Sequence, residues 1–325
     1  MIITRTPLRI SFAGGGTDLP AFYREYDGGA VTSAAIDRYI HVLVNQKFDR
    51  SIRVAYSATE NVTSLEELKH ALVREAMRLA GVTEALEIHT IADIPSEGTG
   101  LGSSSTLTVG LLNALYAYQG RLIDPARLAE EACKIEIEVL QGTLGKQDQY
   151  IAAYGGVQYF EFRPDDTVRA NPIPLHRRDR DALSAHLSLF YTGITRQAQG
   201  ILKTMDSRTT QNKENLLKMR DLADETRRSM LAHDWARLGG LLDEGWQLKR
   251  ALSHGISTPA IDSMYDRAKG AGAYGGKITG AGGGGFLLVV HPPERSAQIS
   301  SALSPMARLP VRIQPEGSRV WFVGE

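Results

Sequence analysis

The 325 residues carry 37 Lys plus Arg against 37 Asp plus Glu, so no net charge points to nucleic acid or an anionic membrane, and any anion must be held by a local site. Cys133 is the sole cysteine, which rules out an intramolecular disulfide and a cysteine-based zinc centre and fits a reducing compartment. Met1 to Phe12 alternates apolar residues with Arg5 and Arg9 and lacks the apolar core of a secretory signal. No stretch approaches the roughly 20 apolar residues of a membrane span, so a soluble, cytoplasmic protein is the expectation.

In chain order, residues 1–60 are β-rich, with a strand from Ile36 to Phe48 and glycine interruptions at Gly14-Gly15-Gly16 and Gly28-Gly29. Ser64, with Glu67 three residues on, predicts an N-cap and a helix to about Ala80, and Leu86 to Ala92 alternates as a strand. Thr106 to Tyr118 reads as a helix. Asp124-Pro125 opens another, with an acceptor at the N-cap and proline at the first helical position, running to about Gln141. The Pro- and Arg-rich stretch 164–182 marks a junction that divides the chain into 1–180 and 181–325. Beyond it come a strand at Leu187 to Thr192 and helices over Asn212 to Leu231 and Trp235 to Leu252. A Thr258-Pro259 start opens a further helix, followed by a buried strand at Phe286 to Val290 and a final strand at Val311 to Val323. The whole is a mixed α and β chain in two lobes.

Chemistry concentrates in three places. Pro95-Ser96-Glu97-Gly98-Thr99-Gly100-Leu101-Gly102-Ser103-Ser104-Ser105 lies between a strand and a helix, where glycines let a ligand approach the backbone and the helix start offers unpaired N–H groups. This is an anion cradle. No Gly-Lys-Ser/Thr ends it, so it is not the loop of a P-loop NTPase. The second place is Gly275 to Gly285, which contains Gly280, Gly282 and Gly285 in G-x-G-x-x-G spacing but precedes a strand where a dinucleotide loop must follow one. It reads either as a backbone surface closing on substrate or as a tight helix-to-strand connection. The third is Gly142 to Tyr150, after a helix in which Glu136 falls on the apolar face four residues from Ala132 and Leu140. A divalent cation shared with nucleotide phosphates would compensate that carboxylate, and a structural salt bridge serves the spacing equally well. Arg9 and Asp18 flank Gly14 to Gly16, a pattern that surface residues near glycines also produce.

Taken in order, Pro7-Leu8-Arg9 through Gly14 to Thr17-Asp18, then Pro95 to Ser105, then Lys277 to Gly285 resemble the three motifs of the GHMP kinases, named for galacto-, homoserine, mevalonate and phosphomevalonate kinases. The resemblance implies an α+β fold with an N-terminal α/β lobe and a C-terminal ferredoxin-like lobe, with ATP and acceptor in the cleft between. By position Asp148 is similar to the family's catalytic base, and Arg9 to the arginine beside the base and the transferring phosphate. Ser104 and Glu136 resemble the ligands of Mg2+. The ATP cradle implied is Pro95, Gly98, Gly100, Leu101, Gly102, Ser103, Ser104 and Ser105; the acceptor surface is Gly15, Gly16, Thr17, Asp18, Lys146, Gln147, Gly282 and Gly283. The strings Arg5 to Pro20 and Gly145 to Tyr150 look most like the branch that phosphorylates the anomeric hydroxyl of D-glycero-D-manno-heptose 7-phosphate, a small-molecule sugar phosphate. For its phosphate Lys146, Arg24 and Arg196 are the candidate cations. A fucose or galactose 1-kinase is the nearest alternative, and a non-catalytic ATP and sugar sensor a more distant one, since it expects loss of Asp148, Glu136 or the serines.

Overall fold

The computed structural model describes residues 1–95, 98–195 and 198–324. In chain order the strands are β1 (Ile2–Ala13), β2 (Gly29–Gln46), β3 (Ile52–Ala55), β4 (Thr59–Val62), β5 (Leu86–Ala92), β6 (Val157–Phe162), β7 (Val168–Pro172), β8 (Leu187–Tyr191), β9 (Gly275–Ile278), β10 (Phe286–Val290), β11 (Arg308–Leu309) and β12 (Arg319–Val323). The helices are α1 (Pro20–Tyr23), α2 (Ala71–Ala80), α3 (Ser103–Tyr118), α4 (Pro125–Cys133), α5 (Gln147–Tyr154), α6 (Arg177–Ala185), α7 (Ala198–Ser207), α8 (Lys213–Leu231), α9 (Trp235–Leu252), α10 (Pro259–Gly270) and α11 (Ser296–Ala302).

The first lobe is built on an eight-stranded sheet, β12-β1-β2-β5-β3-β4, with β6 and β7 as a branch. The branch arises because β2 is long: its first part, Gly29 to Ala34, pairs with β6, and its second, Ile40 to Gln46, pairs with β5. From Thr6 onward β1 is buried on both faces, because α3 covers one side of the sheet and α8 the other. Helix α3 is accordingly apolar around most of its circumference, with Leu111, Leu112, Ala114 and Leu115 fully buried. The register of β1 on β2 slips between Pro7 and Arg9, a bulge that re-aims the following side chain.

The second lobe carries the sheet β11-β8-β10-β9. Numbered within the lobe this is order 4-1-3-2 of a βαββαβ path, the ferredoxin-like arrangement. Its helix starts follow their sequence signals: Asp234 accepts the Arg237 N–H at 2.9 Å, and Thr258 accepts that of Ile261 ahead of Pro259.

Three expectations are corrected. The helix read from Ser64 to Ala80 is a short 3₁₀ turn at Leu65–Glu67 followed, after an extended stretch, by α2; Ser64 does not cap it. Glu60 instead accepts the N–H groups of Lys69 and His70 at 2.6 and 3.1 Å, so the chain is held extended there by a distant carboxylate. The helix from Asp124 stops being α at Cys133, and Lys134–Val139 is a π-turn. The stretch 181–325 does not stay in one lobe: Ile313 bridges Ile36, and β12 pairs antiparallel with β1, so the chain returns to complete the first sheet.

Candidate active site

A cavity of about 660 Å³ opens between the lobes, lined by segments from β1, the loop before α3, the turn before α5, α9 and the β9–β10 connection. Arg9 leaves β1 just after its bulge and is almost fully buried. Its Nε and Nη2 donate to the two carboxylate oxygens of Asp148 at 2.7 and 2.6 Å, and its Nη1 donates to the Gly100 carbonyl at 2.5 Å. This bidentate fork fixes the orientation of a carboxylate whose side chain is still 21 % exposed and so faces the cavity.

The loop before α3 and the β9–β10 connection pack against each other. Thr279 Oγ1 donates to the Thr99 carbonyl at 3.0 Å, and a Cβ on Gly100, whose φ is +69°, would fall 2.6 Å from the Thr279 carbonyl oxygen. Only glycine permits that approach. The packing delivers the N-terminus of α3 to the cavity, where Ser103, Ser104 and Ser105 form its first turn and all three line the wall. Ser103 Oγ, Ser11 Oγ and Gln147 Oε1 are buried and have no hydrogen-bond partner among the described residues, as polar groups awaiting a ligand would.

Asp18 is buried and accepts the Gly16 N–H at 2.9 Å and the Gln147 N–H at 3.2 Å. Burial raises its pKa above the usual carboxylate value, the Gly16 hydrogen bond opposes the rise, and Asp148 adds to it. Glu136, on the π-turn, is likewise buried, and burial raises its pKa as well. It accepts from Ser104 Oγ at 2.5 Å and Gln149 Nε2 at 2.6 Å, and it enters no ion pair among the described residues. The salt-bridge alternative for this residue is therefore not what the structure contains. A buried carboxylate beside a serine at a helix N-terminus, with hydroxyl and amide partners only, suits a hard cation that takes its remaining oxygens from phosphate and water. Glu138 is exposed.

Several sequence-predicted residues lie elsewhere. Thr17 is structural: its hydroxyl donates to the Gly14 and Ala30 carbonyls and accepts the Ala30 N–H, clamping the glycine turn to β2. Lys146 points away from the cavity; its Nζ donates to the Asp166 carbonyl at 2.9 Å and sits 5.0 Å from the Tyr23 ring centroid. Arg24 grips the same Asp166 side chain at 3.0 and 2.9 Å, and Arg196 lies outside the described residues. Gly283 donates its N–H to the Ile256 carbonyl, whereas Gly282 lines the cavity. The Gly275 to Gly285 stretch contains β9 and its connection to β10, so it joins a strand to a strand and not a helix to a strand. Pro95 is exposed, and Leu101 is buried with its carbonyl accepting the Arg9 N–H. Gly15, Gly16, Asp18, Gln147, Gly98, Gly100, Gly102 and the three serines do line the cavity with Arg9 and Asp148.

Two lysines complete the wall. Lys249 of α9 and Lys277 of β9 are buried and line the cavity. Burial, then repulsion from Arg9, lowers the Lys249 pKa to about 8; burial, then repulsion from Lys249 and Arg9, holds Lys277 well below the usual lysine range. Lys249 had a signal in the sequence. It falls in step with Leu242, Trp246 and Leu252 on the buried face of its helix, as Glu136 does on its own.

The family model described as the GHMP kinases N terminal domain matches residues 66–156, and that described as GHMP kinases C terminal matches 224–306. A D-glycero-alpha-D-manno-heptose 7-phosphate kinase from Campylobacter jejuni is 31% identical over 316 residues, covering 93% of each chain. The chain belongs to the GHMP kinase family. An L-fucokinase/L-fucose-1-P guanylyltransferase from Bacteroides fragilis is 30% identical over 94% of this chain and 36% of its own length. Among solved structures, a D-glycero-D-manno-heptose 1-phosphate kinase from Bacteroides thetaiotaomicron superposes with a TM-score of 0.83 at 27% identity, covering 100% of both chains. This GHMP kinase is thus a phosphotransferase with the two-lobed fold of its family, and no described helix is long and apolar enough to cross a membrane.

Proposed function

We propose that this GHMP kinase transfers the terminal phosphate of ATP to the anomeric hydroxyl of D-glycero-D-manno-heptose 7-phosphate. The 1,7-bisphosphate so formed would serve nucleotide-activated heptose for surface polysaccharide, made in the cytoplasm. The observation that carries the kinase chemistry is the Arg9–Asp148 fork at the N-terminus of α3. Phosphoryl transfer asks for in-line positioning and charge neutralisation and for little else. Asp148 keeps a free lone pair on each oxygen and accepts the acceptor hydroxyl proton; Arg9 holds it in place and turns its charge toward the transferring group. The first turn of α3 and the glycine loop before it receive the nucleotide phosphates, and Asp18 binds sugar hydroxyls. Ser104 and Glu136 would hold Mg2+, which supplies positive charge to the phosphate oxygens.

The acceptor rests on the likeness to the Campylobacter heptose 7-phosphate kinase. One observation favours an unphosphorylated sugar: Lys146 and Arg24, the expected cations for the 7-phosphate, are both engaged by Asp166 away from the cavity. Coupled measurement of ADP release with heptose 7-phosphate, heptose, mannose, fucose and galactose separates the readings. Turnover confined to the phosphorylated heptose supports the proposal. Preference for a free sugar replaces the acceptor and keeps the kinase, and no turnover with any sugar would favour a sensor.

A further inference from the structure

Lys249 and Lys277 are given no role by the chemistry above. They come from different elements of the second lobe, α9 and β9, and both side chains reach the cavity at 3 % and 5 % exposure. Neither forms an ion pair among the described residues. Lys249 Nζ donates to the Gly280 carbonyl, and Lys277 Nζ donates to the Phe12 carbonyl at 3.2 Å. An ammonium has three N–H donors, so each lysine retains donors for the cavity. The carboxylates whose field they feel are already engaged: Asp148 by Arg9, and Asp18 by the N–H groups of Gly16 and Gln147.

Two buried lysines whose charged forms repel each other and Arg9 are costly to ionise in the empty protein, and a multiply charged anion bridging them would offset both burial and repulsion. Their anchors show where that anion sits. Gly280, which holds Lys249, packs on Gly100, whose carbonyl holds Arg9. Phe12, which holds Lys277, closes the strand that leads into Gly14 to Gly16. The pair therefore stands where the nucleotide loop meets the acceptor loop, and it belongs to the lobe opposite the serines of α3.

We propose that Lys249 and Lys277 form a phosphate subsite contributed by the second lobe, which takes the terminal phosphate of the nucleoside triphosphate. The reading rests on the kinase assignment above, and the shared chemistry, a phosphate dianion, also fits the sugar's own phosphate. Occupation by a dianion would favour the charged form of both lysines, with Arg9, Asp18 and Asp148 as the other charges facing them, so binding near pH 8 should take up protons.

The test is calorimetric titration of the wild type, Lys249→Met and Lys277→Met with magnesium ADP, a non-hydrolysable ATP analogue, heptose 7-phosphate and heptose. The variants should bind the analogue roughly 10- to 100-fold more weakly with ADP unchanged. Proton uptake should fall in both variants. Their Tm should equal or exceed the wild type, because a lysine buried without a carboxylate partner has been removed. Weakening confined to the phosphorylated sugar keeps the subsite and moves its occupant. Unchanged affinity for all four ligands, or uniform weakening with a lowered Tm, overturns the proposal. If neither sugar binds the wild type, the choice of acceptor fails while the two nucleotides still decide this one.

Discussion

Gly145→Ala tests how the proposed acceptor loop holds its carboxylate. A Cβ at Gly145 would lie 1.9 Å from Asp18 Oδ2 and 2.2 Å from its Cγ, about 1.5 Å inside the 3.4 Å at which ordinary contact begins. The Gly145 φ is not positive, so alanine meets no backbone strain and the cost lies in the clash alone. To relieve it Asp18 must move by about that distance, which breaks its hydrogen bonds from Gly16 and Gln147. A buried carboxylate stripped of two donors loses on the order of 3 kcal/mol. At about 2.1 cal/mol/K per residue, that lowers the Tm of 325 residues by about 4 °C. Because Asp18 lines the cavity, the acceptor KM should rise about tenfold or more with the ATP KM unchanged. The three nearest atoms to the new methyl all belong to Asp18, so in an Asp18→Ala background the same substitution should cost close to nothing. An equal Tm penalty in both backgrounds would refute the reasoning, as would a Gly145→Ala enzyme with wild-type Tm and acceptor KM.

Asp148→Asn should bind ATP as the wild type does and lose about 10²- to 10⁴-fold in turnover, checked by steady-state kinetics beside nucleotide titration; near-normal turnover would remove the base assignment. Glu136→Gln should raise the magnesium concentration for half-maximal rate, and an unchanged magnesium titration would place the ligand elsewhere. Because the folded Glu136 pKa is raised, its ionised form costs stability above that value and none below the unfolded one. The Tm gain of Glu136→Gln over wild type should therefore grow as pH rises from 4 to 7, and a gain that shrinks over that range would contradict it. Arg24→Ala and Lys146→Ala, whose charges are spent on the half-exposed Asp166, should change the acceptor KM by less than about fivefold, since such ion pairs are worth ~1 kcal/mol or less. A larger rise in either, seen only with a phosphorylated acceptor, would return the sugar phosphate to that side of the protein.

The parts legible in the sequence are those governed by near neighbours. Asp124-Pro125 and Thr258-Pro259 start helices because an N-cap acceptor and a preset φ act within one turn. The glycines before α3 announce a close approach, although only the fold shows that much of the approach is by another loop, at Thr279, as well as by a ligand. Glu136 was visible as a carboxylate on an apolar face, yet α-helical spacing could not foresee the π-turn that carries it beside Ser104. Lys249 gave the same sign within α9 and would have been found by the same test. Lys146 misleads because adjacency to Asp148 in sequence says nothing of direction: successive residues at a helix start point to different sides, and Asp166 draws the lysine outward. The return of β12 was invisible for another reason. An alternating strand shows which face is buried and does not name its partner.

That return sets the order in which the molecule can be assembled. Ile2 pairs with Val323, and Arg5 lies 3.7 Å from the Trp321 ring centroid, so one edge of the first sheet waits for residues made some 300 positions later. Until they arrive β1 is an open edge. A chain whose first sheet closes last should fold slowly for its size and gain little from stepwise completion of its N-terminal half. Helix α3 touches β12 as well as β1 and β2, so the proposed phosphate cradle reaches its final support only when β12 has docked.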